Sequence, residues 1–281
     1  MAGDTMKQIG VQLYSYSGTE LSFEEKLRHA AESGYAGVEF AGDYGGMTAP
    51  ELKKLLDSFG LTARSAHVEL GRIGPEFPFL AELGVKCIIC PHYDFPDMET
   101  VKKVAERLNE LGEYGKKYGI RTGFHNHIDE FYKLDGAYIL DHLITLTDPA
   151  LVSFQLDCGW AACAGIVPEA YLAEHAGRFA SIHIKENAET VSPCASCRRD
   201  EPYITSEGRI LSREEADARG AAIRRTNVEM GTGNVDWRAV AAEALRQNPD
   251  TIFIVERERA YANADKATSI ARDIAWLKEN L

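Results

Sequence analysis

The stretches VKCIIC (85–90) and TIFIVE (251–256) decide the fold. Each is a short, nearly continuous apolar run rich in β-branched side chains. A strand with one wet face alternates polar and apolar residues, whereas a strand covered on both faces does not. These runs therefore predict strands of a parallel sheet buried under helices. Working outward, a helical pattern and a glycine precede the first run, in LGVKCIIC (83–90). The same phrase recurs in SGYAGVEF (33–40), FGLTARSAH (59–67) and YGIRTGFH (118–125).

Eight β-rich runs can be counted: Ile9–Tyr14, Gly37–Phe40, Leu61–His67, Lys86–Pro91, Arg121–His127, Val152–Asp157, Ser181–Lys185 and Thr251–Glu256. Amphipathic segments separate them. In SFEEKLRHAAESG, Ser22 and Glu25 have the spacing of a capping box, and Gly34 supplies the stop. Strand and helix alternating with short loops is the pattern of an α/β protein, and eight repeats favour closure into a single (β/α)8 TIM barrel spanning residues 1–281. An open doubly wound sheet is the alternative, but no glycine-rich dinucleotide fingerprint follows the first strand. Residues 187–230 break the rhythm, a long insertion after the seventh strand that is expected to lie over the strand ends.

The 281 residues are 45% hydrophobic and 26% charged, ordinary for a large-cored globular chain. With 31 basic against 43 acidic residues the formal charge is −12, which disfavours nucleic acid and anionic membranes as partners. The polar start MAGDTMKQIG has no signal-peptide core, and no apolar run reaches membrane-spanning length. The six cysteines, at 87, 90, 158, 163, 194 and 197, read as reduced thiols of a cytoplasmic protein. The lone Cys194–Cys197 pair lacks the second pair that a structural zinc site needs. Arg198 and Arg199 beside it would reach an anionic substrate group if the insertion folds over the mouth.

In a parallel barrel, functional side chains gather at the carboxyl ends of the strands. His67, His92, His125, His127, Asp157, His183 and Glu256 all fall at or near such ends. His125 and His127, two apart, share a face, with Asn126 pointing away. Any one of them has a structural explanation; their recurrence in successive units favours a metal or catalytic cluster. Mixed imidazole and carboxylate ligands suit one divalent ion, Mn²⁺, Co²⁺, Zn²⁺ or Mg²⁺. Such an ion would hold neighbouring oxygens of a hydroxy-ketone and stabilise an enediolate after proton removal.

The segments IGVQLYSY, GYAGVEFAG, ELKKLLDSFGLTARSAH, GFHNHIDEF, LDCGW, IHIKE, GTGNVDW and IVERE together resemble the sugar phosphate isomerase/epimerase group of xylose-isomerase-like TIM barrels. The resemblance implies metal ligands from Asp157, His183 and Glu256 and one more from the fifth strand. Where many members carry glutamate, this chain has His125. Either His125 or Glu130 then completes the set, with Glu130 preferred because a carboxylate keeps the ligand charge. A distant DNA-repair branch binds three metals with extra histidines, but Trp160 stands where it needs another.

The expected catalytic groups are His127, Glu256 and Lys185, the last sharing an inward face with His183; as an exposed strand-end charge Lys185 would need no role. His67, His92, His125 and Trp160 are expected substrate contacts, and Glu39 is either a second base or, the preferred reading, structural. In GTGNVDW, Asp236 should cap a helix whose start could take a phosphate. The main expectation is a metal-dependent isomerase or epimerase of a small sugar or keto-sugar. A dehydratase or lyase on inososes or 3-keto-glycosides would use the same site. A sugar-binding barrel without catalysis is the third reading, and self-association into a homo-oligomer is compatible with all three.

Overall fold

The computed structural model describes residues 9–195 and 203–281. Eight parallel strands close a barrel: β1 (Gly10–Gln12), β2 (Gly37–Phe40), β3 (Thr62–His67), β4 (Cys87–Cys90), β5 (Arg121–His125), β8 (Val152–Asp157), β9 (Phe179–Ile184) and β10 (Ile252–Val255), which pairs back onto β1. A small antiparallel hairpin, β6 (Lys133–Leu134) with β7 (Ala137–Tyr138), interrupts the repeat after β5. All eight expected runs are barrel strands. The first stops sooner than its apolar pattern suggests, because the Gln12 side chain accepts a hydrogen bond from Tyr14 N at 3.1 Å and turns the chain into a 3-10 turn, Leu13–Tyr16.

Among the described residues, ten α-helices follow in chain order: α1 (Phe23–Ser33), α2 (Ala49–Phe59), α3 (Ile73–Leu83), α4 (Met98–Gly115), α5 (Ile139–Leu146), α6 (Cys158–Cys163), α7 (Pro168–Glu174), α8 (Arg213–Thr226), α9 (Trp237–Gln247) and α10 (Lys266–Asn280). The capping box of Ser22 and Glu25 is formed, and Gly34 ends α1 in the left-handed region at φ 94°. Strand and helix side chains such as Val38, Phe40, Leu52, Ile88, Leu108, Phe154 and Ile274 form one apolar cluster between the barrel and its helical jacket.

Inside the barrel the filling is different. Gln12, Glu39, Ser65, Gln155, Ser181, His183 and Lys185 are all fully buried. TIM-barrel interiors are usually packed with branched apolar side chains, so this polar layer marks the floor of a site. The described part of the 187–230 insertion touches the turn after β5. Asn187 bridges to Asn227, Tyr132 Oη reaches Thr205 O at 3.4 Å, and Arg219 pairs with Asp129. Cys197, Arg198 and Arg199 lie outside the described residues. Cys87, Cys90, Cys158, Cys163 and Cys194 are free and buried. Among the described residues, no helix is long and apolar enough to cross a membrane.

Candidate metal centre and active site

Strand register sets the geometry. Asp157 pairs with His183 across β8 and β9, and Glu256 follows directly from β10 beside Ile184. One ligand atom each from His125, Asp157, His183 and Glu256 lies within 4.8 Å of the others, with all four residues buried. His183 Nδ1 stands 3.8 Å from Asp157 Oδ2 and 3.5 Å from Glu256 Oε2, and His125 Nε2 is 3.9 Å from Asp157 Oδ2. Among the described residues, Asp157 Oδ2 and His183 Nδ1 are buried without a hydrogen bond, although the Lys185 ammonium stands 3.3 Å from Asp157 Oδ2. Buried polar atoms are nearly always paired, so two orphans converging with two further donors fit a cation. These four residues could hold a divalent ion.

The surroundings orient the four. Asn126 Oδ1 accepts from Asp157 N at 3.0 Å, and Asp157 Oδ1 accepts from Trp160 N at 2.8 Å as the cap of α6. That turn needs Gly159, because a Cβ there would come within 2.2 Å of Lys185 O. His125 Nδ1 lies 3.0 Å from Gln155 Oε1. Burial, reinforced by the neighbouring His183, His127 and His67, drives His125 well below the histidine range, so it is a neutral imidazole. For His183 burial pulls downward too, but Glu39, with Asp157 and Glu256, outweighs it and holds the ring well above that range.

Glu39 is the hub of the floor. It accepts from Gln12 Nε2 at 2.7 Å and Gln155 Nε2 at 2.8 Å, and contacts Ser65 Oγ, His67 and His183. Burial alone would raise its pKa; His67 and His183 bring it down to about 2. Lys185 is wholly enclosed, 2.7 Å from Glu256 Oε2, 2.8 Å from Glu258 Oε1 and 3.3 Å from Asp157 Oδ2. Burial would push the ammonium down, but those three carboxylates hold it above the ordinary lysine value. Lys185 is thus no exposed strand-end charge.

The mouth is a cavity of about 660 Å³ lined by His67, His92, His125, His127 and Glu256, with Arg224 and Arg259 among the rim residues. His127 lies just beyond β5 and is brought to about 3 by burial, Lys185 and His92, so it is neutral at pH 7. Its Nδ1 is buried and unbonded.

Three expectations change. Glu130 is not gathered with Asp157, His183 and Glu256: it sits on a 3-10 turn, Asp129–Phe131, and its Oε2 folds back to accept from His127 N at 2.7 Å. His125 supplies the fifth-strand member of the cluster instead. Trp160 does not line the cavity; it is 3% exposed, packed with Ile128 and Cys163, with the Lys185 ammonium 4.3 Å from its ring centroid. In the GTGNVDW loop a carboxylate already takes three donors that a phosphate would use. Gly231 N, Val235 N and Trp237 Nε1 all donate to Glu186, while Asp236 caps α9 as expected.

Several groups went unnoticed in the sequence. Gln155 and Glu258 lie two residues from Asp157 and Glu256, so the spacing rule that paired His125 with His127 would have found them. Glu186 and Gln12 carry no comparable signal.

The sequence matches the family described as xylose isomerase-like TIM barrel over residues 27–280. Inosose dehydratase from Geobacillus kaustophilus is 23% identical over 89% of this chain and 85% of its own length. The corresponding protein of Clostridium beijerinckii is 27% identical over 60% of this chain, a match spanning 65% of that protein. A sugar phosphate isomerase/epimerase from Parabacteroides distasonis superposes with a TM-score of 0.73 at 20% identity, covering 96% of both chains. That likeness is one of fold. Barrel closure, polar floor and family match agree, and the chain belongs to the xylose isomerase-like TIM barrel family.

Proposed function

We propose that this protein is an enzyme that removes a proton beside the carbonyl of a small polyhydroxylated ketone, a keto-sugar or inosose, and then eliminates water. The observation that carries the reading is the convergence of His125, Asp157, His183 and Glu256, two of them with orphaned buried atoms. A divalent ion held there would draw electron density from a bound carbonyl oxygen and make the neighbouring C–H acidic. Lys185 places a buried positive charge beside Glu256, where negative charge develops on substrate oxygen. His127, a neutral imidazole lining the cavity, accepts the proton as the C–H bond breaks. It returns that proton to the hydroxyl on the next carbon, whose C–O bond breaks to release water and leave a C=C bond. The names of the curated relatives support elimination as the outcome.

A second reading rests on His127 and Glu256 lining the same cavity as two proton acceptors. A proton taken by one and replaced from the other would epimerise the carbon. A keto-polyol panel run in deuterium oxide with metal-loaded protein tests both. An unsaturated product short of one water supports elimination; deuterium in an otherwise intact, inverted substrate supports epimerisation. Neither product from any substrate, with cation bound, would overturn the proposal.

A further inference from the structure

Beside the first cluster lies a second set of donors that the reaction above does not need as ligands. One ring nitrogen each of His92 and His127 and a carboxylate oxygen of Glu130 lie within 4.8 Å of one another. They come from three consecutive features of the same rim: the loop after β4, the residue two beyond β5, and the turn Asp129–Phe131. Glu130 is 2% exposed, and among the described residues its one side-chain hydrogen bond is from His127 N. A carboxyl group buried with so little compensation either stays protonated or is joined by a cation. His127 Nδ1 repeats the signal, being buried with no hydrogen bond. Behind His92, Asp94 Oδ1 lies 3.4 Å from Nε2, the placement of a carboxylate that fixes and strengthens a ligating imidazole.

We propose that His92, His127 and Glu130 form a second divalent-cation site, distinct from the His125–Asp157–His183–Glu256 centre and opening on the same cavity. Two imidazoles and one carboxylate favour a borderline ion such as Zn²⁺ or Co²⁺ and leave at least one position for water or a substrate oxygen. A cation there would serve as a second anchor for a polyol whose carbonyl lies at the first centre. A neutral ring that ligates through one nitrogen carries its proton on the other, so with this cation bound Glu256, the second acceptor on the cavity, would take the substrate proton in place of His127.

The test is stoichiometry, read without turnover. Full-length protein is stripped with chelator, dialysed against Zn²⁺ or Co²⁺, and its bound metal is measured by elemental analysis and by Co²⁺ absorption. Wild type is expected to take a second equivalent per chain. Its affinity should fall by more than the about 10–100-fold typical of lost outer-shell partners in H92A and in E130Q. His92 is exposed, and Gln at 130 keeps an acceptor for His127 N, so both variants should fold. Saturation of wild type at one equivalent that both variants keep, or retention of a second equivalent in both variants, would overturn the proposal. Failure of the first centre gives a different result: wild type binds one equivalent, which H92A and E130Q lose and D157A keeps.

Discussion

His183 Nε2 lies 2.6 Å from Glu39 Oε1, two fully buried groups separated by 144 positions in the chain. The contact turns the other nitrogen, Nδ1, toward Asp157 and Glu256. Imidazole ligands commonly donate their second N–H to a carboxylate, which fixes the ring and raises its basicity. Glu39, expected from the sequence to be structural, is in this arrangement a positioning residue for the candidate centre.

Glu39→Gln keeps an acceptor in place and removes the charge. Cation affinity at the first centre should weaken by about 10–100-fold, while the far-ultraviolet circular dichroism is unchanged. Titration against a fluorescent chelator measures it. An affinity equal to wild type would show that His183 does not depend on Glu39.

Asp157→Ala and His183→Ala should each abolish cation binding at the first centre and turnover together. Each removes a ligand atom that, among the described residues, is buried without a hydrogen bond. Elemental analysis beside the activity assay decides the point. Full occupancy of that centre in both variants would rule out the arrangement.

Lys185→Met separates charge from coordination. The ammonium neutralises Asp157, Glu256 and Glu258, so its loss leaves three carboxylates facing one another. Breaking a buried pair costs about 3–5 kcal/mol, and the metal-free variant should melt well below wild type. A bound cation should recover much of that loss. Turnover should nevertheless fall about 10²–10³-fold, the usual cost of losing one preorganised charge in an active site. Unchanged turnover in the cation-loaded variant would remove Lys185 from the mechanism.

Much of this molecule is legible in the sequence, for identifiable reasons. Apolar runs such as VKCIIC and TIFIVE report two-sided burial directly, whereas strands such as TARSAH and RTGFH carry none and are legible only through the recurring glycine-then-strand phrase. Asp157, His183 and Glu256 occupy equivalent places in successive units, so recurrence revealed them. The choice between His125 and Glu130 was not legible, because it turns on a 3-10 turn whose carboxylate caps His127 N. The Glu186 clamp on the GTGNVDW loop was equally hidden, since it joins residues 45 to 51 apart without any periodic signal.

Away from the site, Asp141 gives a pH dependence of known sign. It accepts from Tyr171 Oη at 2.6 Å and Tyr138 N at 3.1 Å, with His175 at 3.2 Å. Burial would raise its pKa, but the hydrogen bonds from His175, Tyr171 and Tyr138 win and lower it. A depressed carboxylate adds stability that is present above the ordinary aspartate value and lost as pH falls through its folded value. The melting-temperature gap between wild type and Asp141→Asn should therefore be full at neutral pH and close below about pH 4. A gap that stays constant into strong acid would show that ionisation of Asp141 contributes nothing.

Arg219 controls how the insertion meets the barrel. Its guanidinium pairs with Asp129 and donates to Ser192 O at 3.3 Å, and Asp129 also accepts from Cys194 N at 2.9 Å. Burial raises Asp129 even though Arg219 pulls it down, so the carboxylate depends on this partner. Arg219→Ala would leave that buried charge with the Cys194 amide, a loss of about 3–5 kcal/mol for a broken buried pair. The loss falls on contacts between the insertion and the turn after β5, not on the barrel ladders. Opening of 187–230 should become easier, and each 1.4 kcal/mol raises the open population about tenfold. Limited proteolysis followed by mass spectrometry should show faster cleavage within 187–230, with the melting temperature of the barrel little changed. Cleavage at the wild-type rate would mean that the insertion is held by other contacts, and Arg224, carried on α8, would then keep its place at the cavity without this tether.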